Sequence, residues 1–551
     1  MLGVDELVES LRICGVDHIF GLPGVHNLPI YDALRDAKGI RLVTVRDEDS
    51  AAYMAQGYFR VSGRVAVCVL APGPGVTNAL TGIAEAYTDS IPMVVLSGGI
   101  RPSAAGRGAI HDMNQLPILR PVTKWCGKAE NFDDIAALFQ HAFEETCSGR
   151  PRPTFLEISL DTQSSQGKHR EVRRPLIPRI DADLRKIGVV ADTLLNARRP
   201  VAIAGGGVLI AQASAELQAL SEGLSMPVAT TITAKETILD ANQFSMGLLN
   251  DEVARSMVPK ADVVLSVGCR FAERSTSNWS LKINGKLIQV DVDPAEIGRN
   301  YPADMEIVCD AKLFLESLQE LVKGRARVGD RVFLGELEDL KAKREAKYRE
   351  KLRSDAVPLK PQRVMWELSR ILPQRSVITC DSGNNAWWPM MFIESKEDRR
   401  FLFPSGNVSM GFALPAALGA RCVAENVVCI TGDGGFMMKL AELATSLQEH
   451  LDVTVIVLND GGFGAIRHYQ RFNFGARYSG VNLLNPDFAE VAEAFGAKGI
   501  RIENPEELGT GLAKALNSKE TTVLDVKIDP EEVALPDWII QSFKQGLSKP
   551  V

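Results

Sequence analysis

The sequence predicts an α/β protein built as three doubly wound parallel-sheet domains. Two observations carry this. Short β-branched apolar runs recur along the whole chain, and each ends in a glycine-rich or polar turn that opens a helix-like stretch. The 551 residues also exceed the roughly 250–300 at which a single core stops growing.

The first domain is expected over 1–165. Its runs at 64–70 and 92–97 are apolar apart from Arg64 and Ser97 at their ends, as befits strands buried on both faces of a parallel sheet. They lead into Ala71-Pro72-Gly73-Pro74-Gly75 and Gly98-Gly99, and a further strand is read at 154–158. Pro- and Arg-rich sequence at 163–179 then interrupts the pattern. The second domain, 185–325, opens with a strand at 200–204 before Gly205-Gly206-Gly207 and continues with strands at 261–268 and 286–293. A Lys/Glu/Arg-rich stretch at 336–353 reads as an exposed helical linker. The third domain, 355–535, carries candidate strands at 376–380, 426–431, 453–458 and 522–528, and the residues beyond Pro530 read as a tail.

Composition narrows the class of function. Lys and Arg number 62 against 69 Asp and Glu, a formal charge of −7, and no long basic run stands out, which argues against a nucleic-acid partner. The nine cysteines are odd in number and include no Cys-x-x-Cys pair, as expected for buried thiols in a reducing compartment. The first residues lack the features of a secretory leader, and no apolar run approaches the ~20 residues of a membrane span. The expectation is a cytoplasmic protein with no membrane association.

In open α/β sheets ligands sit beyond the carboxyl ends of the strands, so the turns there are where chemistry belongs. The run at 426–431 ends in Gly432-Asp433-Gly434-Gly435-Phe436, followed by a stretch at 437–450 whose Leu440, Leu443, Ala444 and Leu447 have helical spacing. The run at 453–458 ends in Asn459-Asp460-Gly461-Gly462-Phe463. If these are neighbouring parallel strands, Asp433 and Asp460 meet at one point and make a site for a hard cation. Mg²⁺ takes a few protein oxygens and completes its octahedron with water and phosphate oxygens. The glycines let backbone N–H groups approach a diphosphate, helped by the helix dipole.

This pair of motifs resembles the thiamine-diphosphate enzyme superfamily, whose signature is Gly-Asp-Gly followed, after a helix and a strand, by Asn-Asn or Asn-Asp. The resemblance implies that Asp433, Asp460 and the carbonyl of Gly462 ligate Mg²⁺. It places Gly432, Gly434, Gly435, Phe463, Gly383, Asn384 and Asn385 around the diphosphate. Asp460 stands where Asn is commoner, which keeps an oxygen ligand and adds negative charge.

The resemblance extends to the first domain through Gly21-Leu22-Pro23-Gly24, Arg46-Asp47-Glu48 and Gly73-Pro74-Gly75-Val76-Thr77-Asn78, which look like the pyrimidine-binding half. Pro23, Gly24, Glu48 and Asn78 are thereby implied as cofactor contacts. Glu48 matches the glutamate that hydrogen-bonds the aminopyrimidine and promotes its imino form for internal acid–base catalysis. Met410 matches the bulky apolar residue that holds the cofactor bent. The three domains then correspond to pyrimidine-binding, central Rossmann-like and diphosphate-binding units. The site is shared between subunits, so a homodimer or homotetramer is implied.

Pro121-Val122-Thr123-Lys124-Trp125 and the stretch from Asp291 to Gly298 are most similar to acetolactate (acetohydroxyacid) synthases. Other positions depart from that pattern. Ile110-His111-Asp112 replaces a Phe-Gln-Glu segment, Tyr469 replaces a tryptophan, and no lysine occurs at Ser159-Leu160-Asp161. Gly247-Leu248-Leu249-Asn250-Asp251 lacks the flavin-contacting segment, so FAD is not expected. Gly24-Val25-His26 and Gly106 to His111 resemble a branch of 2-oxo acid decarboxylases, and a similar histidine occurs in benzaldehyde lyase. His26 and His111 are the candidate proton carriers of the substrate end, with Phe463, His468 and Tyr469 shaping its mouth.

The first expectation is decarboxylation of a 2-oxo acid, with release of an aldehyde or carboligation. A true acetolactate synthase comes second and a 2-hydroxyacyl or acyloin lyase third. A catalytically silent, nucleotide-binding regulatory homologue is the alternative of another class. It is disfavoured by the presence of Glu48, Asp433 and Asp460.

Overall fold

In the computed structural model, which describes residues 1–551 except 171, 172, 182, 326, 328, 397, 398, 535–539 and 541–551, the strands form three six-stranded sheets. The tail expected beyond Pro530 lies mostly outside the described residues. The first sheet holds β1 (His18–Gly21), β2 (Arg41–Thr44), β3 (Ala66–Leu70), β4 (Met93–Gly99), β5 (Trp125–Ala129) and β6 (Thr154–Ser159). Their order is β2-β1-β3-β4-β6-β5. The second holds β7 (Pro200–Ala204), β8 (Val228–Thr230), β9 (Ser245–Leu248), β10 (Val263–Val267), β11 (Lys286–Asp291) and β12 (Met305–Val308), ordered β12-β11-β10-β7-β8-β9. The third holds β13 (Ser376–Cys380), β14 (Arg400–Leu402), β15 (Asn426–Gly432), β16 (Thr454–Asn459), β17 (Lys498–Ile502) and β18 (Thr522–Lys527), ordered β14-β13-β15-β16-β18-β17.

All pairings within these sheets are parallel, and helices connect the strands, the α/β architecture expected. Every strand read from the sequence is present, with its ends moved by at most two residues. The central strands are buried along their whole length, as β3, β4 and β13 show, because helices cover both faces of each sheet.

The stretch 437–450 is not one helix. The chain is already helical at Asp433–Lys439, then restarts as Glu442–Gln448. At the junction the Leu443 and Ala444 N–H groups donate to the carbonyls of Leu440 and Ala441, tight three-residue turns that break the α-helical ladder. The linker helix runs Arg331–Leu352, capped by the Asp330 carboxylate on the Val332 and Phe333 N–H groups, with only Phe333 and Leu337 buried.

The first and third sheets share one hydrophobic core. The helix Glu48–Ser62 crosses the helix Ala413–Arg421 at backbone contact. A Cβ on Gly57 would overlap the Ala416 carbonyl, and one on Gly419 would overlap the Met54 carbonyl. Tyr53 packs edge-on against Phe412, ring centroids 5.5 Å apart, and both are fully buried. This crossing fixes the helix that begins at Glu48 against the domain that carries Asp433. Among the described residues no helix is long and apolar enough to cross a membrane.

Candidate functional site

β15 and β16 are neighbours, with Gly432 opposite Leu458, so Asp433 and Asp460 leave adjacent strand ends on the same side. Asp433 is almost fully buried and accepts a hydrogen bond from Asn485 Nδ2 at 2.6 Å. The same amide reaches Asn459 Oδ1 at 3.2 Å and so ties the two loops together. Burial pushes the Asp433 carboxyl above its ordinary range despite that bond. Burial, then the nearby charge of Asp433, pushes Asp460 up to about 7, against the pull of Arg467. The result is a carboxylate pair short of positive charge, the condition that a divalent cation relieves.

The loop that carries Asp460 is held by its backbone. Gly462 N–H donates to Asp460 Oδ1 at 3.1 Å, and Arg467 donates to the carbonyls of Asp460 and Gly461, each at 3.2 Å. Side chains would not fit around it. A Cβ on Gly434 would lie 2.6 Å from the Phe463 ring, one on Gly435 2.5 Å from Asp381 Oδ2, and one on Gly464 would overlap the Asp460 carboxylate.

The turn at Gly383, with φ of +91°, brings the helix Asn384–Phe392 to the same point. The Cβ position of Gly464 lies 2.9 Å from Asn384 Nδ2, and that of Gly432 meets the Asn385 amide. Asn384 Nδ2 faces His468 Nδ1 at 3.3 Å, while Asn384 Oδ1 is buried with no hydrogen-bond partner. An orphaned acceptor beside a carboxylate pair short of positive charge suits a metal with its phosphate ligand and their bound water. Among the described residues no group of three or more His, Cys, Asp or Glu side chains is arranged to hold a metal ion. The donor set the resemblance implies, Asp433, Asp460 and the Gly462 carbonyl, is of a different kind, one that would suit Mg²⁺ bound through phosphate. Met410 is half-buried between Ser409 and Gly411, and the Gly411 N–H donates to Asp381 Oδ1 at 2.9 Å.

A second group assembles in the first domain. Glu48 opens its helix and is 8% exposed. Asn78, on the helix Pro74–Thr88, donates through Nδ2 to Glu48 Oε2 at 3.0 Å. The Cβ position of Gly75 lies 3.3 Å from Glu48 Oε1 and that of Gly73 3.4 Å from His111 Cβ, so this loop separates Glu48 from the histidine. His111 adopts φ of +64°, and its ring centroid lies 5.3 Å from that of His26. The Nδ1 atoms of both are buried without partners. Burial, and then the facing His111, lower the His26 pKa. Gly24 N–H is held by Asn27 Oδ1 at 2.7 Å, and Pro23 is exposed.

Glu48 and Asn78 face a cavity of about 370 Å³ that Met438, Lys439 and Glu442 of the third domain also line. Among the described residues no hydrogen bond or ion pair joins Glu48 to Asp433, Asp460 or Asn384. Asn485, Asp381, Arg467 and Glu85 escape sequence reasoning. Asn485 lies in an irregular loop with no motif. Glu85, on the helix Pro74–Thr88, accepts from Ser409 N–H at 2.8 Å and Ser409 Oγ at 2.7 Å, and so anchors the loop that precedes Met410.

A larger cavity, about 1140 Å³, opens where the order of the central sheet reverses between β10 and β7, the place where such sheets bind ligands. Gly205 N–H donates to the Val267 carbonyl at 2.9 Å and Gly207 N–H to Gly268 at 3.1 Å. At the end of β11, burial pushes Asp291 up to about 6.

Comparison with known proteins agrees with this geometry. The family models for the thiamine pyrophosphate enzyme N-terminal TPP binding domain, central domain and C-terminal TPP binding domain match residues 1–118, 187–318 and 381–526. The chain is 35% identical to a probable acetolactate synthase large subunit of Methanocaldococcus jannaschii, over 97% of this chain and 93% of that protein. It is 34% identical to the corresponding protein of Methanococcus aeolicus, over 96% and 92%. It is also 34% identical to the acetolactate synthase isozyme 3 large subunit of Escherichia coli, over 97% and 96%. The chain belongs to the thiamine pyrophosphate enzyme family, on its acetolactate synthase-like branch.

Proposed function

We propose that the chain performs acetolactate synthase-like chemistry on a 2-oxo acid. CO₂ is lost, and the remaining fragment either leaves as an aldehyde or joins a second carbonyl compound. The buried Asp433–Asp460 pair beside the unpartnered Asn384 Oδ1 is the observation that carries this reading, because it calls for a divalent cation with a phosphate ligand. Thiamine diphosphate, when bound, would supply a cationic thiazolium ring that acts as the sink for the electron pair left by departing CO₂.

In this reading Asp433, Asp460 and the Gly462 carbonyl hold Mg²⁺. Gly383, Asn384, Asn385, Gly432, Gly434, Gly435 and Phe463 cradle the diphosphate, and Met410 supports the ring system. Glu48, oriented by Asn78, holds a proton at the aminopyrimidine, with Pro23 and Gly24 at the rim. His26 and His111 move a proton at the substrate oxygen or the product carbon. The lowered His26 pKa keeps its imidazole neutral near pH 7 and able to accept one.

The family resemblance supports a working unit of two or four copies, in which one subunit's Glu48 meets another's metal loops. The reading divides the chain at 1–165, 185–325 and 355–535, places it in the cytoplasm and leaves FAD out of the central cavity. Flavin fluorescence of the purified protein after denaturation tests that last point, and a stoichiometric signal would overturn it.

The function is tested by incubating the protein, thiamine diphosphate and Mg²⁺ with a panel of 2-oxo acids and identifying the products by mass spectrometry. Release of CO₂ with an acetohydroxy acid or an aldehyde is expected. Cofactor binding with no release from any acid, and cleavage of an acyloin instead, would replace this reading with a lyase.

A further inference from the structure

The segment that carries Glu48 is gripped by the third domain of its own chain. Lys439, the last residue of the helix Asp433–Lys439, pairs with Asp47 Oδ2 at 2.7 Å and with Asp49 Oδ1. These two aspartates flank Glu48 directly. The Arg46 N–H donates to Glu442 Oε1 at 3.1 Å, so the backbone from 46 to 49 is tied to the 439–442 junction on both sides of the glutamate. The Lys439 side chain is only 8% exposed. Its stem packs on Gly411, whose Cβ position lies 2.9 Å from Lys439 Cγ, immediately after Met410.

A buried lysine costs desolvation, which two aspartates offset only if all three stay in place. The arrangement therefore fixes geometry rather than adding much stability. One side chain thus touches the residues beside Glu48 and beside Met410, and it ends the short helix that Asp433 begins. We propose that Lys439 is a positioning residue for Glu48, setting the angle at which its carboxylate meets the aminopyrimidine of thiamine diphosphate. The inference rests on the role given to Glu48 above.

The test uses the full-length protein with thiamine diphosphate and Mg²⁺, comparing wild type with Lys439→Met, Asp49→Asn and Glu48→Gln. Three quantities are read: the hydrogen–deuterium exchange rate at C2 of the bound cofactor by quenched NMR, cofactor affinity by tryptophan fluorescence, and the thermal midpoint of the cofactor-free protein. Lys439→Met should slow exchange by about tenfold or more, the scale of a small misplacement of a catalytic group, and change affinity by less than about threefold, because the metal loops are untouched. Asp49→Asn, which keeps the Asp47 pair and is the milder change, should slow exchange a few-fold. A lowered midpoint with wild-type exchange in folded Lys439→Met protein would reduce Lys439 to a structural residue and overturn the proposal. If Lys439→Met does not fold, wild-type exchange in Asp49→Asn overturns it. Undiminished exchange in Glu48→Gln would instead remove the underlying role of Glu48, so the two failures are distinguishable.

Discussion

Asn78 Nδ2 donates to Glu48 Oε2 at 3.0 Å, joining the early turns of two helices that leave different strands of the first sheet. One carboxylate oxygen is thereby committed to the protein. The other lies beside Gly75, where the space a side chain would take is closed at 3.3 Å. Replacing Asn78 with Ala frees the carboxylate to rotate. We expect kcat to fall by about tenfold with KM for the 2-oxo acid nearly unchanged, as steady-state kinetics at saturating cofactor would show. A fall in affinity alone would place Asn78 in binding rather than orientation.

Asp433 and Asp460 supply the charge at the other end. Asp460→Ala removes a carboxylate that Arg467 leaves undercompensated. The Mg²⁺ concentration needed to retain thiamine diphosphate should rise by at least about tenfold, the lower end of what losing even an outer-shell partner of a metal costs. Asp460→Asn, which keeps an oxygen, should be milder. Titration of cofactor fluorescence quenching with Mg²⁺ separates the two variants, and equal behaviour of both with wild type would remove Asp460 from the metal site.

The buried Asp381 provides a pH signature. It accepts from Ser382 N–H at 2.8 Å, Gly411 N–H at 2.9 Å and Thr431 Oγ1 at 2.9 Å, yet burial outweighs these donors and pushes its carboxyl up to about 6, from 3.8 for a free side chain. The folded protein therefore binds this proton more tightly than the unfolded chain does. The associated stability is fully present below about pH 4 and is lost as pH rises through about 6, on the order of 3 kcal/mol in total. Urea unfolding of cofactor-free protein across this window should be less pH-dependent for Asp381→Asn than for wild type, and identical slopes would contradict the assignment.

Gly57 sits where the helix that begins at Glu48 meets the backbone of Ala416. Gly57→Val would push these helices apart and should destabilise the protein by about 1–3 kcal/mol, measurable as a lowered denaturation midpoint. It should also reduce turnover, because the crossing anchors the Glu48 helix to the third domain. A variant as stable as wild type would mean that the crossing tolerates separation.

The interior of the fold was legible in the sequence and its margins were not. β3, β4, β13, β15 and β16 are predominantly apolar and buried nearly throughout because helices cover both faces. The edge strands β2, β5, β12 and β17 alternate or expose their residues, and β14 has only three residues, so they carry no such string. β1 and β8 are simply short. The loops after β15 and β16 were readable as candidate cofactor loops because glycines and carboxylates at strand ends have few structural alternatives. Asn485, Asp381 and Lys439 were not, since their roles arise from segments brought together only by folding. The helix read across 437–450 failed for a related reason: its apolar spacing continues through a junction that the backbone breaks.

The most direct test of the central claim is the rate of CO₂ release from 2-oxo acids by wild-type and Glu48→Gln protein, each saturated with thiamine diphosphate and Mg²⁺. The account predicts release by the wild type that requires the cofactor, and a loss of about a hundredfold or more in the variant with cofactor still bound. Release that is independent of the cofactor, or undiminished in Glu48→Gln, would contradict it.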